Sequence, residues 1–144
     1  MSIAKNRNLR IVLDSNVYVS AFNRSNGVPF RIWQLALNRH CALLVSPAIV
    51  GEIAGVLRRR FGWDEPRLIR RMKLLTALAE IISPPFTLTV FSGTMEADNR
   101  ILECAVAGKA DLIVSGDGDL QRLKVYEKIP IIRPADALRT LGGK

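Results

Sequence analysis

The sequence predicts an α/β fold, a three-layer α/β/α sandwich around a central parallel sheet. Short apolar runs rich in β-branched residues alternate with segments of helical periodicity. Those runs are apolar on both sides of the strand instead of alternating with polar residues, as strands covered by crossover helices on both faces must be. Several of the runs end in a polar or acidic residue, which gives the carboxyl edge of such a sheet its chemistry.

The first run is "LRIVLD", a strand that stops at Asp14. No element is assigned after it until the loop "RSNGVP", which leads into the helical "FRIWQLALNRH". "CALLVS" is the second strand. Ser46 and Pro47 then supply the cap and first turn of the helix "PAIVGEIAGVLRRRF". Asp64 and Pro66 open the next helix, predicted to run to about Ile82, where "SPPF" breaks it before a weak strand, "TLTVF". Asp98 begins the helix "DNRILECAVAG", with Ile101, Leu102, Ala105 and Val106 on one face and Gly108 as its stop. "DLIVS" is the cleanest strand. A Gly-Asp-Gly-Asp turn follows, then a short helical piece "LQRLKVYEK", a final strand "IPIIR" and a helix from Pro134.

At 144 residues, 49% of them hydrophobic and 24% charged, the chain reads as one folded domain over 1–144, with no linker and no low-complexity segment. "MSIAKNRNLR" is basic without an apolar core behind it, and "CALLVSPAIV" is too short to span a bilayer, so a cytoplasmic protein with no membrane partner is expected. Cys41 and Cys104 have no ligand spacing and read as reduced core residues, and His40 is the sole histidine.

The formal charge of +8 points to a polyanionic partner. Seven of the 21 basic residues, Arg58, Arg59, Arg60, Arg67, Arg70, Arg71 and Lys73, fall within sixteen positions. They form a candidate nucleic-acid surface, weighed against a plain solvated helix face, since Leu68, Ile69, Met72, Leu75, Ala79 and Ile82 mark the buried side of the same helix.

Asp14, Asp117 and Asp119 all follow strands and should meet at one sheet edge. Asp98 and Glu52 can join them, Glu52 from the rim of the arc made by Ile49, Ile53, Val56 and Leu57, although Asp98 is also placed to be a simple helix N-cap. With Gly116 and Gly118 beside it, Asp117 is expected to turn back toward Asp14, and Asp119 to cap the following helix. Converging carboxylates repel by about 4 kcal/mol per ionised pair at about 4 Å and an effective dielectric near 20. An oxygen-ligated cation, Mg²⁺ or Mn²⁺, relieves that conflict. Beside a basic surface, it also suits phosphodiester hydrolysis.

Two rival motifs fit poorly. A calcium loop counted from Asp117 puts Arg122 at its glycine position and Lys128 at its closing Glu. A phosphatase of the haloacid dehalogenase type needs its Asp pair early in the chain. The alternative from another class is a non-catalytic RNA-binding module.

"IVLDSNVYVSAF", Glu52 within "SPAIVGEIAGVLRR", "DNRILECAVAG" and "DLIVSGDGDL" resemble, in order and spacing, the four acidic motifs of the PIN domain family, and especially its prokaryotic branch of toxin-antitoxin toxin components. The resemblance implies a PIN-like, Rossmann-like fold and a Mg²⁺- or Mn²⁺-dependent ribonuclease acting on single-stranded RNA. Its catalytic acids would be Asp14, Glu52, Asp98 and Asp117, with Asp119 as auxiliary metal ligand and Asn16 and Ser115 as the polar residues holding the site together. It further implies a homodimer and, in the toxin branch, a cognate antitoxin protein; other relatives act in RNA processing or decay without one. Two positions depart from the pattern: Ser15 stands where Thr is commoner, and Asn99 where many relatives carry a further Asp, which leaves a second metal open.

Overall fold

The computed structural model describes residues 8–142. Most of the basic amino-terminal stretch considered for a leader, residues 1–7, lies outside them. The six strands are β1 (Arg10–Leu13), β2 (Ala42–Val45), β3 (Glu80–Ile81), β4 (Leu112–Val114), β5 (Val125–Tyr126) and β6 (Ile129–Ile132). They form one sheet in the order β3-β2-β1-β4-β6-β5, parallel throughout except for the β5–β6 pair. Helices α1 (Ser15–Asn23), α2 (Val28–Leu37), α3 (Pro47–Phe61), α4 (Glu65–Leu78), α5 (Ala97–Ala107), α6 (Gly118–Leu123) and α7 (Pro134–Thr140) flank it, all but α1 where the sequence predicts a helix. None of the described helices is long and apolar enough to cross a membrane.

The central strands are buried on both faces, with Ile11, Val12, Leu44, Val45, Ile113 and Val114 fully inaccessible. Their registers align Leu13 with Val114, so the chain leaves β1 and β4 side by side, and Asp14 N–H donates to Val114 O at 2.9 Å. Cys41 and Cys104 are free thiols in the core, and burial pushes them up to about 11 and about 12. The Ser46 hydroxyl accepts from Ile49 N–H at 3.2 Å, and the Asp64 carboxylate accepts from Arg67 N–H at 2.9 Å, the caps that open α3 and α4.

Four elements differ from expectation. Helix α1 fills the stretch left unassigned. Its β-branched Val17 and Val19 obscure a helical reading, and Val17, Tyr18, Val19, Ala21 and Phe22 are all buried because α2 and α3 pack over it. Helix α4 stops at Leu78 instead of near Ile82. The chain then pairs with β2 as β3, Ile82 N–H donates to Val45 O, and Arg10 clamps Glu80 at 2.8 Å.

"TLTVF" is not a strand. Its backbone is satisfied by side chains of α5: Glu103 accepts from Leu88 N–H at 2.7 Å, and the Asn99 amide both donates to Phe91 O and accepts from Phe91 N–H, each at 2.8 Å. The helical piece after the acidic turn begins earlier and ends sooner than predicted. Tyr126 and Ile129 then close a hairpin over Glu127 and Lys128, both at positive φ without the usual Asn or Gly.

Candidate active site

The carboxyl edge of β1 and β4 is organised by one hydroxyl. Ser115 is fully buried; its Oγ donates to Asp14 Oδ2 at 2.8 Å and accepts from Asp117 N–H at 2.9 Å. Its carbonyl accepts from the Gln121 amide at 2.5 Å, a tie that the sequence did not signal. Asp14 itself is nearly buried, at 5% exposure. Burial raises its pKa, the Ser115 hydroxyl and the Asn16 N–H pull it back, and the charge of Asp117 raises it again. Asn16 supports Asp14 through this backbone N–H alone, at 3.4 Å; its side chain is exposed and makes no hydrogen bond among the described residues.

The capping role expected of Asp119 falls to Asp117, which also keeps its expected place beside Asp14. Asp117 is the N-cap of α6: its Oδ1 accepts from Asp119 N–H at 2.6 Å and Leu120 N–H at 3.2 Å. Asp119 lies in the first turn and pairs with Arg122 at 2.6 Å. The cause is the start of α6 at Gly118, which gives the capping position to the residue before it. Asp98 is not a cap either. It lies in the first turn of α5, whose cap residue, Glu96, makes no side-chain bond.

Asp98, Asp117 and Asp119 each offer one carboxylate oxygen, and these lie within 4.8 Å of one another. The Asp98 carboxyl is pushed up to about 7, first by burial and then by the charges of Asp117, Asp14, Asp119 and Glu52. Glu52, half-buried on α3, is raised by burial and by Asp14, while Arg59 pulls it down. All five acids therefore act on a common electrostatic neighbourhood, with the three aspartates as its tightest group. An oxygen-only donor set of this kind, in which one carboxyl can shed its charge only by holding a proton, fits a hard divalent cation. Asn99, by contrast, is fully buried and occupied by Phe91.

The basic residues divide into two groups. Arg58 is paired with Glu65 at 2.8 Å. Arg67 stacks 3.7 Å from the ring centre of Trp63, and Arg71 sits 4.7 Å from that of Phe22. Trp63, which the sequence reading passed over, is buried and donates its indole N–H to Asn23 at 3.0 Å. Arg60, Arg70 and Lys73 are exposed and make no ion pair or hydrogen bond among the described residues. Arg59 lies back along α3, where a Cβ on Gly55 would stand only 2.7 Å from its Nη1. It is the member of the basic run whose charge acts on Glu52.

Comparison with known proteins bears on these observations. A family model described as the PIN domain matches residues 10–119, from the first strand through Asp119. An uncharacterized protein of Methanocaldococcus jannaschii is 31% identical over 125 residues, covering 83% of this chain and 78% of the relative. Among solved structures, VapBC2 from Rickettsia felis, bound to a DNA fragment from their promoter, is similar in fold with a TM-score of 0.61 at 17% identity, covering 87% of this chain and 98% of that one. The matched span contains every one of the five acids, and the chain belongs to the PIN domain family, whose members are generally nucleases that use divalent metal.

Proposed function

We propose that the protein is a metal-dependent ribonuclease that hydrolyses phosphodiester bonds of single-stranded RNA. The observation that carries this reading is the convergence of Asp98, Asp117 and Asp119 beside Asp14 and Glu52, with Asp98 pushed up to about 7. These five residues would hold Mg²⁺ or Mn²⁺. Such an ion, when bound, lowers the pKa of a coordinated water and stabilises charge on the phosphodiester.

The protein's own contribution is placement. Ser115 fixes Asp14 and the Asp117 backbone with one hydroxyl, so the two acids cannot drift apart. The Asp117 cap leaves its Oδ2 without a helix bond, and Arg122 steadies Asp119. Arg59, beside Glu52, supplies positive charge at the rim where an anionic strand approaches. The basic residues of α3 and α4, Arg60, Arg70 and Lys73 foremost, extend that surface.

The biological setting we propose is the toxin of a toxin-antitoxin pair, working in the cytoplasm as a homodimer of single domains with an antitoxin as its inhibitor. The fold shared with VapBC2 of Rickettsia felis and the order of the acidic motifs support it.

The decisive measurement is cleavage of a labelled single-stranded RNA across a Mn²⁺ and Mg²⁺ titration, for the natural protein and for Asp14→Asn. Cleavage that needs the metal and is lost in the variant is expected. RNA that is bound but left intact at every metal concentration would instead identify a non-catalytic binding module. Relief of growth arrest by co-expression of the protein encoded next to it separates a toxin from a nuclease of RNA processing or decay.

A further inference from the structure

Beside Asp117 the fold leaves a cleft of about 260 Å³ that the acids do not fill. Its walls come from Asn16, Val17 and Ser20 of α1, Pro29 of α2, Pro134 of α7, and Gly116 and Asp117 after β4. Asp117 belongs both to the wall of this cleft and to the three converging aspartates, so the cleft adjoins the acids.

We propose that this cleft is a nucleobase subsite, taking one base of the strand next to the phosphodiester at the acids, with Asn16 and Ser20 reading its edge. The inference rests on the nuclease reading for its substrate class and on the cleft for its content. Its polar groups are free: neither the Asn16 amide nor the Ser20 hydroxyl makes a hydrogen bond among the described residues. An amide offers donors and an acceptor together, the complement of a base edge that carries both. Val17 and the two prolines give apolar walls, and a proline has no N–H to leave unpaired against a ring.

Charge decides against a phosphate as occupant. No Lys or Arg lines the cleft, and its one ionisable group is the carboxylate of Asp117. A neutral ring is accepted there, whereas an anion is repelled. The neighbouring wider cleft carries three cations, Arg122, Lys124 and Arg133, against the one carboxylate of Asp136, and suits backbone phosphate better. The cleft is also smaller than the roughly 300–1,000 Å³ of sites for drug-sized ligands, which matches a single ring system. Sequence-specific recognition of single-stranded RNA works through splayed bases held in this way.

Two measurements test the subsite. The four nucleosides, neutral and needing no metal, are titrated while the Asn16 side-chain amide is followed by NMR. Four RNAs that differ only in the nucleotide beside a defined cleavage position are then cut in Mn²⁺. We expect nucleosides to shift the Asn16 amide unequally, and cleavage rates to differ among the RNAs. In Asn16→Ala the spread between best and worst RNA narrows about tenfold, since a polar site rejects a ligand that leaves its groups unpaired. Mn²⁺ affinity, read by calorimetry, stays as in the natural protein because the backbone N–H at position 16 still serves Asp14. Ser20→Phe, which fills the cleft, should abolish the nucleoside shifts.

Absence of any nucleoside shift, or equal losses on all four RNAs in Asn16→Ala, overturns the subsite and leaves Asn16 as a support of Asp14. The two readings fail separately. RNA cut without base preference would sink the subsite alone, and selective nucleoside binding by a protein that cuts no RNA would sink the nuclease alone.

Discussion

The carboxyl edge of the sheet and the corner formed by α3 and α4 are both crowded with like charge, yet they resolve it in opposite ways. At the corner three of the crowded cations have partners of their own, Arg58 with Glu65, Arg67 with Trp63 and Arg71 with Phe22, while Arg60, Arg70 and Lys73 spread into solvent. At the edge the carboxylates face one another. Among the described residues Asp119 forms an ion pair with Arg122 and Glu52 feels Arg59, while the Asp98 carboxyl, through burial first and the neighbouring charges second, is pushed up to about 7. The like charges of the corner are partly paired, stacked or dispersed in solvent, whereas those of the edge are held together partly out of water, as expected of a cluster that a cation would complete. Clusters of perturbed acids in a cleft are functional candidates for this reason.

The largest effect should come from breaking the frustrated edge at its centre. Asp117→Asn is expected to lower metal-dependent RNA cleavage by about two orders of magnitude or more, roughly 2.7 kcal/mol of transition-state stabilisation. The amide keeps an oxygen to cap α6, so the fold survives and the loss reports on charge. Asp119→Asn should cost less and be partly rescued by higher Mn²⁺, since Arg122 already offsets part of that carboxylate. Single-turnover cleavage across a Mn²⁺ titration measures both, and full activity in Asp117→Asn would remove this residue from the mechanism.

Next in size is the response of stability to metal and pH. The native Asp98 pKa of about 7 stands above its ordinary 3.8, so between those values the folded protein holds more protons than the unfolded chain. Stability contributed by this group therefore falls as pH rises from about 4 to about 7, and the penalty is complete above 7. In chelator the melting temperature of the natural protein should drop over this window relative to that of Asp98→Asn, which has no proton to lose there. At a hundred times its Kd, Mn²⁺ stabilises by about 2.7 kcal/mol, roughly 5–10 °C for a chain of this size. Calorimetry at pH 5.5 and 8, with and without Mn²⁺, reads all of this. A melting temperature indifferent to both Mn²⁺ and chelator would mean that the acids do not share a cation.

A smaller effect distinguishes ligand from scaffold at position 99. Asn99→Asp sets a carboxylate oxygen against Phe91 O in a fully buried place and loses the amide donor, a cost of about 1–3 kcal/mol. It should destabilise without raising the number of Mn²⁺ ions bound, as calorimetric stoichiometry will report. A second ion bound in this variant would return Asn99 to the metal site.

Position 99 also illustrates what could be read from the sequence. Strands β1, β2, β4 and β6 were legible because full burial demands unbroken apolar runs, and α3 and α4 because Ser46, Pro47 and Asp64 are local signals acting over three residues. The illegible parts are held by distant residues. Residues 83–96 depend on Asn99, Arg100 and Glu103, β3 on Arg10 seventy positions away, and α1 on packing that overrides its β-branched composition. At the candidate site, residue types and strand ends gave the acids their common edge, but the division of labour between Asp117 and Asp119 turned on a two-residue difference in where α6 begins, finer than composition can specify.

The smallest expected effect tests the other half of the comparison, the claim that partnered and unpartnered cations at the α3–α4 corner differ in what they do. Each phosphate contact to a single strand contributes about 0.7 to the slope of log affinity against log salt. Replacing Arg59, Arg60 and Arg70 together with Gln should thus flatten that slope by about 2, weaken RNA binding, and leave slow cleavage at saturating RNA. Arg67→Gln with Arg71→Gln removes as many as two charges but acts first on the stacks over Trp63 and Phe22, each worth about 0.5–1 kcal/mol. That pair should lower the melting temperature and change the salt slope by less than half as much. Filter binding of a labelled RNA at four salt concentrations, beside thermal melts, separates the two sets. An unchanged slope in the triple variant would assign the exposed arginines to solvation or to a protein partner, and equal slopes in both sets would show that stacking does not withhold an arginine from RNA.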